Sequence, residues 1–222
     1  MRPVWICAAL QLPLLGGLLW AKRTERKALE WWIKPLCSLT FLAAVGLEVW
    51  RDQRYAGLVL TALIFSWIGD VALLGRSKAW LGSGLGAFLL AHVAYLTAAA
   101  PLLDLGRVEL GPTLVAGVVL AGLCVLALKP AWETLGDMRG PVCVYACLLN
   151  VLTLVGLSVG WQEQSEGGWL LGGGLFLFLL SDLSVLRYRF VKQSFSLKLW
   201  GTPAYYWAQL LLAASVSVLP PC

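Results

Sequence analysis

Long uncharged runs of apolar residues, separated by short stretches in which the charges collect, set the main constraint on how this chain folds. Hydrophobic residues make up 59% of the 222 residues and charged residues 13%, about half the charged fraction of an ordinary soluble domain. The interior of a soluble domain of this size could not cover so many apolar side chains, and the alternation typical of a transmembrane barrel is absent from the sequence. The pattern predicts an all-α, polytopic membrane protein.

Charges, glycines and prolines divide the chain into eight apolar segments, each close to the roughly 20 residues that a helix needs to cross a bilayer. The predicted helices are 4–20, 32–50, 55–74, 80–100, 112–128, 141–160, 168–186 and 201–219. Every connection between them is short, which leaves no room for a soluble domain. We therefore expect residues 1–222 to form a single domain, a bundle of eight transmembrane helices.

Basic residues lie mainly on one side of this predicted bundle. Thirteen of the 17 lysines and arginines fall in or beside connections 1, 3, 5 and 7, and four fall on the other side. The positive-inside rule places the basic connections in the cytoplasm and both termini on the opposite side, in a bacterial inner membrane or in the endoplasmic reticulum of a eukaryote. The net charge of +5 is thus interpreted as a topology signal, and we expect membrane lipids rather than nucleic acid as partners.

Two aspartates lie inside predicted helices, Asp70 in the third and Asp182 in the seventh. Each is about four residues, or roughly 6 Å, from the basic end of its helix. A carboxylate in hydrocarbon costs several kcal/mol unless it is paired, protonated or hydrated, so both are candidate functional residues. The alternative is that either side chain snorkels or pairs with a loop arginine such as Arg76 or Arg187.

Other polar residues within the predicted helices fall mostly in the same cytoplasmic half. They are Lys34, His92, Tyr95, Tyr145, Asn150, Tyr205, Tyr206 and Gln209. His92 and Tyr95 are three residues apart, so they share a helix face, as do Tyr205 and Gln209, four apart. This placement predicts one polar pocket open to the cytoplasmic leaflet, with the outer half as an apolar scaffold or acyl-chain slot. A structural histidine and interfacial tyrosines are the alternative interpretation.

Five short segments occur in an order that resembles the YhhN family of membrane proteins, which includes TMEM86-type lysoplasmalogenases. They are a Lys-Pro segment at 32–36, a Gly-Asp segment at 68–73, a His-x-x-Tyr helix at 86–95, a Ser-Asp helix at 174–182 and a Tyr-Tyr-x-Ala-Gln ending at 205–211. The resemblance covers most of the chain. It implies hydrolysis of the vinyl ether bond of lysoplasmalogen, which yields a fatty aldehyde and a glycerophospho head group.

This chemistry needs an acid that protonates the vinyl ether carbon and a base or anion beside it. Carboxyl groups in an apolar setting are protonated more readily than in water, and two close together take different protonation states. Asp70 and Asp182 would therefore divide the acid and base roles, with the assignment open. Lys34 would balance the carboxylate charge or meet the substrate phosphate, and His92 and the polar residues of helix 8 would orient water or the donor. The basic stretch 187–192 is a second candidate for the phosphate.

Three other functions remain open for the same residues. A proton-coupled transporter of lipids or small molecules would use Asp70 and Asp182 as a relay. A zinc-dependent lipid hydrolase would need more ligands than the single histidine and unclustered cysteines provide, so neither a metal ion nor another cofactor is expected. The third is a non-catalytic scaffold.

Overall fold

The computed structural model of the protein describes residues 3–46, 53–75 and 77–219. Within these ranges the chain is helical and contains no strand, which confirms the all-α prediction. The long helices are α1 Pro3–Arg23, α2 Lys27–Gly46, α3 Gln53–Ala72, α4 Lys78–Ala99, α5 Leu110–Leu128, α6 Arg139–Glu163, α7 Glu166–Phe190 and α8 Phe195–Ser215. Short helical turns fill the connection between α5 and α6.

Six segments of the described chain are long and apolar enough to cross a membrane. Helices α1 to α4 and α7 account for five of them, and the sixth, Leu110–Glu163, contains both α5 and α6. Helix α8 is not among the six, since polar residues interrupt its apolar sequence. The membrane class is thus supported, while the crossing of all eight helices stays a prediction.

The largest differences from the predicted helix ends, four to six residues, are in three helices. Helix α2 begins at Lys27 rather than residue 32, and α7 continues to Phe190 rather than ending at 186. Helix α8 begins at Phe195 instead of residue 201, so only 191–194 join it to α7. The last part of the predicted helix 32–50 and Arg76 lie outside the described residues.

Basic residues lie within the last turn of α7 instead of ending it, and one of them has a partner beside α3. The guanidinium group of Arg189 donates a hydrogen bond of 2.9 Å to the carbonyl oxygen of Leu73, at the end of α3. Asp182 lies eight residues before the end of α7, about 12 Å along the helix, which is twice the expected distance from the helix end.

Helices α6 and α7 pack closely through small residues. A Cβ atom on Gly172 would lie 2.8 Å from the carbonyl oxygen of Gly156, and one on Gly160 would lie 3.0 Å from that of Gly168. Only glycine leaves room for two backbones this close. This crossing holds the polar residues of α6 beside those of α7.

Candidate active site

An ion pair between α2 and α3 forms the first part of the site. The Nζ atom of Lys34 lies 3.0 Å from Oδ1 of Asp70 and donates a hydrogen bond of 2.8 Å to the carbonyl oxygen of the same residue. The hydroxyl group of Ser38, one helical turn after Lys34, donates a hydrogen bond of 2.6 Å to Oδ2 of Asp70. Both oxygens of this buried carboxyl group therefore face a donor.

Two adjacent tyrosines of α8 close over this pair. The Tyr206 hydroxyl donates a hydrogen bond of 3.3 Å to the carbonyl oxygen of Lys34, and that of Tyr205 donates one of 3.4 Å to the carbonyl oxygen of Ser66. Both tyrosines are buried. The structure thus brings Lys34, Asp70, Tyr205 and Tyr206 together.

A second polar group surrounds Asp182 where α4, α6 and α7 meet. The Tyr145 hydroxyl donates a hydrogen bond of 2.5 Å to Oδ2 of Asp182, and Nε2 of His92 lies 3.9 Å from the same oxygen. Neither ring nitrogen of His92 has a hydrogen-bond partner, and no Lys or Arg pairs with Asp182, among the residues that the structure describes. Asp182 thus lacks the close cation that Asp70 has.

Aromatic rings connect the two polar groups. The ring centroid of Phe178 lies 4.8 Å from that of His92, 5.6 Å from that of Tyr205 and 6.0 Å from that of Phe88. Phe88 and Tyr205 are also in edge contact at 5.9 Å. The two groups therefore share one apolar wall.

A cavity of about 680 Å³ is lined by both aspartates. The candidate residues that line it are Lys34, Asp70, Tyr145, Asp182, Tyr205 and Tyr206. The cavity reaches exposed residues of the basic connections, Glu25 between α1 and α2 and Gln193 between α7 and α8. It therefore extends from that end of the bundle to both carboxyl groups.

The lining of the cavity differs between its two sides. The lining lysines 22, 34 and 198 belong to α1, α2 and α8, whereas α4, α5 and α6 contribute mainly apolar residues. These apolar residues are Leu81, Leu85, Phe88, Cys124, Leu128, Val142, Ala146 and Leu149. The cavity suits a molecule with a polar head and one apolar chain.

Four predicted site residues do not line the cavity. His92 lies behind Tyr145, with the two rings 4.9 Å apart. Tyr95 donates a hydrogen bond of 2.6 Å to Oε1 of buried Gln209. The amide nitrogen of Asn150 contacts its own helix at the carbonyl oxygen of Ala146, 2.8 Å away, and Cys124 Sγ at 2.9 Å.

Sequence reasoning missed Ser38, Phe88 and Phe178. Ser38 lies four residues after Lys34 and therefore on the same helix face. This spacing could have identified Ser38 as a site residue. The phenylalanines carry no such signal, because they look like ordinary core residues. Within the described part of the chain, no group of three or more His, Cys, Asp or Glu residues lies together as a metal site.

Comparison with known proteins supplies an independent observation. The sequence model of the YhhN family matches residues 29–216. The chain is 30% identical to lysoplasmalogenase TMEM86A of Bos taurus over 188 residues, which cover 81% of this chain and 73% of that protein. It is 32% identical to lysoplasmalogenase TMEM86B of Sus scrofa over 187 residues, 84% of this chain and 74% of that protein. No solved structure matches significantly.

Proposed function

Because the chain belongs to the YhhN family, we propose that it is a lysoplasmalogenase, a hydrolase that cleaves the vinyl ether bond of 1-alkenyl-glycerophosphoethanolamine or -choline. Curated relatives that match most of the chain carry that name. In the structure, the observation that carries the proposal is that Asp70 and Asp182, with different partners, line one amphipathic cavity. Such a cavity suits a single-chain phospholipid.

All eight long helices cross the membrane in this proposal and form one domain. Helix α8 crosses despite its polar residues because neighbouring helices bury several of them, including Tyr205, Tyr206 and Gln209. The basic connections lie in the cytoplasm. The substrate then enters from the cytoplasmic leaflet, with its head group at the cavity mouth and its chain along the apolar side.

The different partners of the two aspartates support different roles for them in this proposal. Asp70 is the carboxylate, since Lys34 and Ser38 donate to its two oxygens. Asp182 is the acid, because no Lys or Arg of the described residues pairs with it. Tyr145 and His92 both face its Oδ2 atom, so its proton resides on Oδ1.

The reaction then proceeds through proton transfers between these two groups. Asp182 protonates the β-carbon of the vinyl ether, and the resulting oxocarbenium ion is stabilised by the Asp70 carboxylate. Water adds to this cation and gives a proton to Asp70. The product of this step is a hemiacetal. The hemiacetal hydroxyl returns a proton to Asp182 as the C–O bond to glycerol breaks, and Asp70 protonates the departing glycerol oxygen. One water is consumed, and both aspartates regain their starting states.

Four of the remaining candidate residues position these groups, and three others support the surrounding helices. Tyr145 and His92 orient Asp182, while Tyr205 and Tyr206 donate to backbone carbonyl oxygens of α3 and α2 beside Asp70. The Tyr95–Gln209 pair supports Phe178 from behind, with the Tyr95 and Phe178 ring centroids 6.3 Å apart. Asn150 lies outside the cavity lining and supports α5 through its contact with Cys124.

Incubation of the purified protein with lysoplasmalogen and with its saturated alkyl-ether analogue tests this function. We expect aldehyde release from the vinyl ether only, because the alkyl ether cannot form the oxocarbenium ion by protonation at carbon. A proton-coupled carrier that uses the same aspartates would release aldehyde from neither lipid, and that result would contradict the proposal.

A further inference from the structure

Five basic residues line the cavity, and three of them have partners that account for their position. Lys34 pairs with Asp70, and Lys27 pairs with Glu30 at 3.5 Å. Arg189 donates to a backbone carbonyl oxygen of α3. The other two are Lys22, in the last turn of α1, and Lys198, in the first turn of α8.

Neither of these two lysines forms an ion pair with a carboxylate among the described residues. The Nζ atom of Lys22 donates a hydrogen bond of 3.1 Å to the neutral hydroxyl group of Thr202. The Nζ atom of Lys198 lies 4.5 Å from the ring centroid of Tyr188. The partners that the described residues offer to both ammonium groups are therefore neutral.

The charges around Lys22 come from four residues. The positive charges of Lys34 and Lys198 act on its ammonium group, and the negative charges of Glu30 and Asp70 oppose them. Glu30 and Asp70 are each already paired with another lysine. Lys22 and Lys198 are therefore the two cavity lysines that pair with no carboxylate among the described residues.

Hydrogen-bond donors at this position remain available for an anion. The Lys22 ammonium group has three N–H donors, of which Thr202 uses one. Because the Thr202 hydroxyl accepts from Lys22, its own hydrogen is free to donate to a third group. Two ammonium groups and one hydroxyl group at the lining of a single cavity match the oxygen atoms of a phosphate.

We propose that Lys22, Thr202 and Lys198 form a phosphate site that holds the phosphodiester of the lysolipid head group. This inference rests on the proposed function and deepens it, because it identifies what recognises the substrate. The basic stretch 187–192 is a poorer candidate: Arg189 is engaged with α3, and Lys192 does not line the cavity. With the phosphate held at this site, the glycerol backbone extends the vinyl ether toward the aspartates.

Binding of two non-hydrolysable ligands to the full chain in nanodiscs tests the site. One is a short-chain alkyl-ether lysophosphoethanolamine, and the other is the alkylglycerol with the same chain and no phosphate. We expect Lys22→Met to weaken binding of the phosphate-bearing ligand about tenfold, as for a lost charge-assisted hydrogen bond, and to leave alkylglycerol binding unchanged. Thr202→Val, which conserves shape, should act in the same direction.

Lys192→Met is the matched control, because it removes the same charge at an exposed position outside the cavity. It should change binding of neither ligand. Equal weakening of both ligands by Lys22→Met and by Thr202→Val would overturn the proposal, since it would indicate a structural role. A tenfold effect of Lys192→Met on the phosphate-bearing ligand would overturn it as well.

Competition distinguishes the lipid head group from free phosphate. Soluble glycerophosphoethanolamine should displace the lysolipid analogue from the wild-type protein, and inorganic phosphate should do so much more weakly. Equal displacement by both would overturn the head-group assignment. Because these measurements need no turnover, wild-type protein that binds as predicted but releases no aldehyde would contradict the activity and not the phosphate site.

Discussion

The ammonium group of Lys34 lies 3.0 Å from a carboxylate oxygen of Asp70 and 2.8 Å from the carbonyl oxygen of the same residue. One side chain of α2 thus holds both the side chain and the backbone of a residue near the end of α3. Because the carboxylate is buried, its charge depends on this cation. The pair therefore connects the packing of α2 and α3 to the charge of the candidate site.

Removal of one charge of this pair should destabilise the protein more than removal of both. We expect Lys34→Met to lower the free energy of unfolding by about 3–5 kcal/mol, because it leaves a buried carboxylate without a cation. The double variant Lys34→Met/Asp70→Asn should regain most of this stability and remain inactive. Denaturant unfolding in detergent, combined with an aldehyde assay, measures both effects. Equal stability of the single and double variants would show that the two charges are not coupled.

Loss of the Tyr145 hydroxyl should affect catalysis, because it orients Asp182. We expect Tyr145→Phe to lower kcat about tenfold, the effect of about 1.4 kcal/mol on the transition state, with little change in KM. Tyr95→Phe removes the same atom from a buried hydrogen bond that lies away from the cavity, so it should cost about 1 kcal/mol of stability and leave kcat nearly unchanged. Steady-state kinetics of the two variants distinguish the roles, and equal kcat values would exclude Tyr145 as a positioning residue.

The sequence predicted the helical class and the polar residues, but not how those residues pair. Asp70 and Lys34 were both predicted, since charged residues in apolar runs are conspicuous, yet their contact depends on how α2 packs on α3. The predicted distance of Asp182 from its helix end was wrong because the helix was expected to end at residue 186, before the basic residues, whereas it continues to Phe190 and Arg189 donates to the carbonyl oxygen of Leu73, just after α3. Phe178 was missed because a phenylalanine in an apolar helix resembles any core residue.

The close crossing of α6 and α7 should make Gly172 intolerant of a larger residue. A Cβ atom there would lie 2.8 Å from the carbonyl oxygen of Gly156, so we expect Gly172→Ala to cost about 1–3 kcal/mol through overpacking. The adjacent Gly173 has nothing within 4 Å of such an atom, so Gly173→Ala should be neutral or slightly stabilising. Thermal unfolding of both variants in detergent compares them. Equal melting temperatures would contradict the close backbone approach.

Cysteine labelling in a Cys-free background should report the sidedness of the cavity mouth. We expect Gln193→Cys and Lys192→Cys to react only with reagent from the cytoplasmic side, since both lie in a basic connection. A lysolipid analogue should protect position 193, which lines the cavity, and not position 192, which does not. Labelling from the opposite face would show that the topology is inverted, and equal protection would contradict entry at this end.

Aldehyde formation by Asp182→Asn in a single turnover, with lysoplasmalogen at saturation, tests the acid role of Asp182 most directly. We expect the rate to fall at least about 100-fold, the typical effect of a lost general acid, because asparagine cannot protonate the vinyl ether carbon. Binding of the alkyl-ether analogue and the stability of the fold should persist. A rate near that of the wild-type protein would contradict the proposed mechanism.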